Sequence, residues 1–339
     1  MITLITSRIK DKSPDIELLQ RFEQYCASNS DWSEKKGAVV FNPRNIASRL
    51  YASAHTLLKP IFSKRKINGA ILSLGLPYRL TLFSKTFPYY AFDCDLRVLW
   101  TYDVWEPDYD RVEKMVKEAK IDMLLLSSFQ ATSYFSKLNI PGCEVHWVSE
   151  TVNPKDYVYK PWNDRKTDIL SFGRTWQKYH EAIIDGCNSN NIDYRYQERN
   201  EQIDVAVQGL KKGLQFPTQN DFVEGLADAK ICICFPRCIT HPDLAGNVST
   251  VTLRYLQAMA SKCLIIGSTP AELKMLLNYD AVIEVDWEHP MEQIQNILNN
   301  PEPYQELLEK NYNTVLELFQ HQNSITKINS LINKRLRTI

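Results

Sequence analysis

The sequence lacks most of the features that would settle its class at once. No apolar run approaches the roughly 20 residues of a membrane span. The opening MITLITSRIKDKSPD turns polar too early for a secretory signal, so a cytoplasmic protein is expected. Neither charge is in excess: 40 Lys and Arg balance 40 Asp and Glu, which argues against a broad basic face tracking nucleic-acid phosphates. The eight cysteines are scattered, several of them inside apolar strand-like runs, and no disulfide framework is expected. Cys232, Cys234, Cys238 and His241 lack the C-x2-C spacing of a zinc knuckle, and no Asp-x-Asp cluster follows a strand. No metal and no cofactor are therefore expected.

Glycine is scarce too, at 11 in 339 residues, which makes the hydroxyl-rich run GNVSTVT at 246–252 stand out. Hydrophobic residues make up 44% and charged residues 24%, an ordinary globular balance. A chain of this length suggests two domains of roughly 150 to 170 residues. Short aliphatic runs alternate with helical periodicity, the pattern of βα units around parallel sheets. Candidate strands are 38–41, 70–74, 97–101, 122–127 and 144–148, then 168–172, 230–235, 263–267 and 281–285.

Between the two sets, NPKDYVYKPWNDRK (153–166) is polar and aperiodic and reads as a hinge. The expected division is one domain over 1–155, a second over 156–320, and a C-terminal helix over 321–339 turning back toward the first domain. Ser13 and Pro14 mark a helix start, and the tail from Pro303 reads as two helices burying Leu308, Val315 and Phe319, then Ile325, Ile328 and Ile332. The fold class is α/β, with two Rossmann-like parallel-sheet domains facing a cleft.

Open parallel sheets bind ligands at the carboxyl ends of their strands. Gly173, Arg174 and Lys178 follow the strand at 168–172 and suit an anion such as a pyrophosphate, or else are solvated surface groups. A helix is expected over Val248–Ser261, with Thr250, Arg254, Gln257 and Ser261 on one side. Gly246, Asn247, Ser249 and Thr250 would put amides and hydroxyls at its start, unless that side is only a solvated polar face.

Asp103, just after RVLWTY and near Glu106, reads either as a group projecting into the cleft or as a turn residue. His241, in the loop after KICICF, is a candidate ligand contact at a strand end, whereas His146 alternates within a strand and reads as structural. The segment 49–66, with Arg49, Lys59, Lys64, Arg65 and Lys66 among apolar residues, suits a surface helix with a basic end or contact with anionic lipid.

SFGRTWQK, followed some 70 residues later by GNVSTVTLRYLQAMASKCLIIGSTPAEL, resembles the donor half of GT-B glycosyltransferases, in particular the group-1-like, spore-maturation-type branch. RVLWTYDVWEP, DMLLLSS and VHWVSETVNPKDY resemble its acceptor half, and the likeness covers about 95–320. It implies a nucleotide-sugar donor, a UDP-sugar favoured, and a glycan or lipid-linked acceptor. It implies further that Arg174 and Lys178 hold the pyrophosphate, that Ser249 and Thr250 assist, and that Arg254 backs them. Gln257 stands where the family usually carries a ribose-binding glutamate, and Ser249 where many retaining members carry another acid. Two rivals share the architecture: a nucleotide-sugar epimerase and a non-catalytic binding module.

Overall fold

The structure is a computed structural model that describes residues 1–7, 10, 14–37, 40–42, 45–62, 67–77, 94–173, 175–197 and 215–339. The N-terminal half runs β1 (Ile2–Thr6), α1 (Pro14–Asn29), β2 (Ser33–Lys36), α2 (Ile46–Phe62), β3 (Ile67–Gly75), β4 (Cys94–Thr101), α3 (Tyr109–Glu118), β5 (Met123–Leu126), α4 (Phe129–Leu138) and β6 (Glu144–Trp147). Among the described residues these strands form one parallel sheet in the order β2-β1-β3-β4-β5-β6.

The second half runs β7 (Thr167–Ser171), α5 (Gln177–Ser189), β8 (Tyr194–Tyr196), α6 (Gln219–Ala227), β9 (Ala229–Cys234), α7 (Arg237–Thr240), α8 (Pro242–Ala245), α9 (Leu253–Ala260), β10 (Leu264–Gly267), α10 (Ala271–Leu276), β11 (Ile283–Glu284), α11 (Pro290–Asn299), α12 (Gln305–Leu318) and α13 (His321–Leu336). Its parallel sheet has the order β11-β10-β9-β7-β8.

Side chains alternate across each strand, so both faces of each sheet must be covered. On the first sheet Ile5, Ile71, Leu99 and Leu124 pack under α3 and α4, against Val112, Val116 and Phe135. On its other face Leu4, Leu72, Trp100 and Leu125 meet Leu19 and Phe22 of α1 and, from the far end of the chain, Ile325, Ile328 and Ile332 of α13. In the second sheet Leu170, Cys232 and Ile265 pack on α9 and α12, while Ile169, Ile231 and Ile266 pack on α5 and α11.

The chain crosses between the halves twice, at one place. Val152 pairs with Gln320: the Val152 amide donates to the Phe319 carbonyl at 2.9 Å, and the His321 amide donates to the Val152 carbonyl at 3.0 Å.

Two of the expected elements lie elsewhere in the structure. The second strand lies at Ser33–Lys36 and not at 38–41; residues 38 and 39 lie outside the described residues, as does Ser13. β2 is an edge strand of polar residues, so it carries no apolar signal. The helix expected from Val248 begins at Leu253, because Val248–Thr252 is rich in β-branched residues and its polar groups are engaged elsewhere.

Candidate active site between the two sheets

The carboxyl ends of β3 and β4, the crossover and the first turns of α9 enclose a cavity of about 150 Å³. Phe22, Tyr102, Tyr157 and Leu253 form its apolar wall, and Asp103, Glu150 and Gln257 reach it as polar groups. Asp103 sits two residues beyond β4 with φ of +51°, a left-handed conformation that aspartate tolerates better than most side chains. The Gln257 amide donates from Nε2 to the Tyr157 hydroxyl at 3.2 Å, and Gln257 is buried. Thr250 and Ser261 are buried as well. Of the residues expected on one polar side, Thr250, Gln257 and Ser261 therefore face the protein interior, and Arg254 is half-buried.

Two buried acids join the halves. Glu150, 5% exposed, accepts the Leu253 amide at 3.1 Å and lies 3.5 Å from the Ser127 hydroxyl. It follows the first sheet, yet caps the first residue of α9 in the second half. Burial, and then the charges of Asp103 and Glu272, push its carboxyl well above the ordinary range. Glu272, 4% exposed on α10, makes the converse connection by accepting the amide of Phe129, the first residue of α4, at 2.8 Å. It also accepts the Val251 amide at 2.8 Å and the Thr250 hydroxyl at 2.6 Å. Burial raises its carboxyl too, against the pull of these hydrogen bonds.

Gln130 completes the seam: its Nε2 donates to the Asn247 carbonyl at 3.0 Å, and its Oε1 accepts the Ser249 amide at 2.6 Å. At Gly246, φ is +59° and a Cβ would lie 2.0 Å from Glu106 Oε2, so only glycine fits where the loop after β9 meets the loop after β4.

The sequence matches no family model and no curated protein. The structure matches solved ones along its whole length. Sucrose-phosphate synthase from Thermosynechococcus elongatus aligns at a TM-score of 0.62 with 11% identity, covering 100% of this chain and 99% of that one. Anabaena Alr3699/HepE, solved in complex with UDP-glucose, aligns at 0.59 with 10% identity, covering 99% and 100%. The DNA-modifying enzyme β-glucosyltransferase, solved with and without uridine diphosphoglucose, aligns at 0.52 with 12% identity, covering 98% and 100%. The chain has the GT-B fold.

Within that GT-B frame the residues singled out from sequence fall into three groups. Asp103 and Gln257 line the cavity, one from each half. Gly173, Lys178 and Arg254 gather beyond the carboxyl ends of β7 and β9. A Cβ on Gly173 would lie 3.6 Å from Arg254 Cδ, and Arg254 Nη2 lies 3.4 Å from the Phe235 carbonyl oxygen. The Lys178 ammonium sits over the Trp287 ring at 4.5 Å. Arg174 lies outside the described residues.

The third group belongs to the seam. Thr250 binds Glu272 and the Ser249 amide binds Gln130; the Ser249 hydroxyl accepts the Ala271 amide at 2.9 Å. Ser249 and Thr250 therefore do not form the start of a helix, which corrects the sequence expectation. The Asn247 carbonyl is held by Gln130, and His241 stands between α7 and α8, 2.9 Å from the Thr240 hydroxyl. Sequence reasoning passed over Glu150, Glu272 and Gln130. Glu150 had a visible signal, since it stands just beyond β6, at the strand end where this fold places its ligands.

Proposed function

We propose that this GT-B chain is a glycosyltransferase that moves a sugar from a nucleotide-sugar donor, a UDP-sugar favoured, to a glycan or lipid-linked acceptor, without a metal. The observation that carries the reading is the convergence of Asp103 from the first half and Gln257 from the second on one cavity at the crossover. Lys178 and Arg254, with Arg174 beside Gly173 in the sequence, supply fixed cations for the diphosphate. Gln257 holds the ribose through its amide.

In the transfer the acceptor hydroxyl oxygen bonds to the anomeric carbon and gives its proton to Asp103. The bond from that carbon to the phosphate oxygen breaks, and the nucleoside diphosphate leaves with the electron pair. Fixed cations and a positioned acceptor suffice for this chemistry. Glu150 caps the α9 amide that a donor phosphate would use, so donor binding displaces its carboxylate.

The test is release of nucleoside diphosphate from a panel of UDP-, GDP- and ADP-sugars, with and without a pool of glycan and lipid-linked acceptors. Acceptor-dependent release that survives EDTA is expected. Interconversion of sugars without acceptor would point to an epimerase, and nucleotide binding with no turnover to a binding module.

A further inference from the structure

The side of the cavity that the first half supplies has a chemistry that sugar transfer itself does not require. In α1 the spacing of Leu18, Leu19 and Phe22 puts all three on one face, and that face lines the cavity. Leu76, just beyond β3, and Tyr102, just beyond β4, complete the wall. Leu19, Phe22 and Leu76 are buried, and Leu18 and Tyr102 are half-buried. The Phe22 and Tyr102 rings meet at 87° with centroids 6.2 Å apart and form a corner.

The polar groups on the cavity are largely engaged within the protein. The Thr151 hydroxyl lies 2.9 Å from His321 Nδ1 and 3.3 Å from the Ser324 hydroxyl. The Asn153 amide donates to Asp156 at 2.6 Å, and Arg21, itself exposed, donates to Glu17 at 2.9 Å. The Glu150 carboxylate accepts the Leu253 amide. Asp103, next to Tyr102 in sequence, brings a carboxylate to the apolar wall.

A sugar ring carries a hydroxyl on nearly every carbon, and each one stripped of water against leucine and phenylalanine loses affinity unless a partner replaces it. An apolar group gains from the same wall. Size sharpens the choice, because a dry apolar cavity of about 150 Å³ holds a group the size of benzene.

We infer that the acceptor is an alcohol carried on an apolar body of about one ring in size, aryl or short alkyl, which seats against Leu18, Phe22, Leu76 and Tyr102 and presents its hydroxyl to Asp103. The inference rests on the transferase reading and narrows its acceptor: the group beside the reacting hydroxyl is hydrocarbon and not a sugar. The product is an O-glycoside of that alcohol, with the hydroxyl proton on Asp103 and the bonding pair gone with the nucleoside diphosphate.

The experiment offers benzyl alcohol, hexanol, glucose and methyl glucoside to the full chain. Saturation-transfer NMR reads binding without nucleotide, and release of nucleoside diphosphate from UDP-, GDP- and ADP-sugars reads transfer. Two variants accompany the wild type: Leu18→Gln, which makes the wall polar, and Leu76→Phe, which fills the space beside it. The alcohols are expected to bind, and to stimulate release at least about tenfold more than either sugar; both effects should fall about tenfold in each variant, with nucleotide binding kept. Thermal midpoints show whether each variant is folded, and Leu18, being half-buried, keeps the test available if Leu76→Phe is not. Stimulation by the sugars and none by the alcohols would overturn the inference and leave the transferase reading intact. Equal responses from the wild type and folded Leu18→Gln would overturn it too. Alcohols that bind with no release from any donor would sink the transferase reading, while the cavity's preference for an apolar alcohol would stand. Silence in both readouts would overturn both.

Discussion

Replacing Asp103 with asparagine is expected to lower kcat for sugar transfer by about 10²- to 10⁴-fold, the usual contribution of a positioned general base. Asparagine keeps the size of the side chain and tolerates the left-handed backbone at φ +51°, so the loop beyond β4 should hold its shape. What it cannot do is accept a proton from the acceptor hydroxyl. Asp103 comes from the first half, whereas Lys178 and Arg254 lie beyond the ends of β7 and β9 in the second, so nucleotide affinity should be unchanged. The check is steady-state kinetics beside a nucleotide titration on the same variant. An unaltered kcat would reduce Asp103 to an orienting group, and a parallel loss of nucleotide affinity would place it on the donor side.

The second large effect concerns stability against pH, where a buried carboxyl and a half-buried imidazole act with opposite sign. Glu23 on α1 accepts the Ser7 amide at 2.8 Å and the Ser7 hydroxyl at 3.0 Å, and burial pushes its carboxyl up to about 8. A carboxyl raised on folding stabilises the fold fully below its unfolded range near 4.5. That contribution is lost as pH rises through 8, at a slope near 1.4 kcal/mol per pH unit.

His321 is wedged edge-on against Phe22 and Tyr25, with ring centroids at 4.5 and 4.8 Å, and lies 2.9 Å from the Thr151 hydroxyl. Burial pushes its imidazole down to about 3, so its contribution is complete above 6.5 and is lost as pH falls toward 3. Thermal midpoints measured from pH 4 to 9 should therefore form a dome. Glu23→Gln should flatten the alkaline limb and stabilise the protein by about 3 to 5 kcal/mol near pH 8. His321→Gln should flatten the acid limb while lowering the summit, because the ring contacts are lost. An alkaline limb unchanged in Glu23→Gln would show that the carboxyl is ionised in the fold.

How much of this was visible in the sequence depends on whether the cause is local. The runs at 70–74, 97–101, 168–172 and 230–235 lie within or across observed strands because a strand covered on both faces must be apolar throughout. β2 escaped because Ser-Glu-Lys-Lys at a sheet edge needs no apolar side chain, and β8 because it is three residues long. The start of α9 was misplaced because Glu272 is absent from any local window: it draws the Thr250 hydroxyl and the Val251 amide away from a helical path. Glu150 and Leu253 are 103 residues apart, and Glu272 and Phe129 are 143 apart. Such caps exist only once both sheets have formed.

The proposed nucleotide site lies beyond the carboxyl ends of β7 and β9. The measurement that tests it most directly is a thermal-shift panel with UDP, GDP, ADP, CMP and their sugar conjugates, run on the wild type and on Arg174→Ala, Lys178→Ala and Arg254→Ala. A ligand that binds only the folded state raises the midpoint. One nucleotide, UDP first, should stabilise the wild type selectively, and its shift should shrink or vanish in each cation variant. No shift with any nucleotide at millimolar concentration, or a shift that all three variants retain in full, would contradict it.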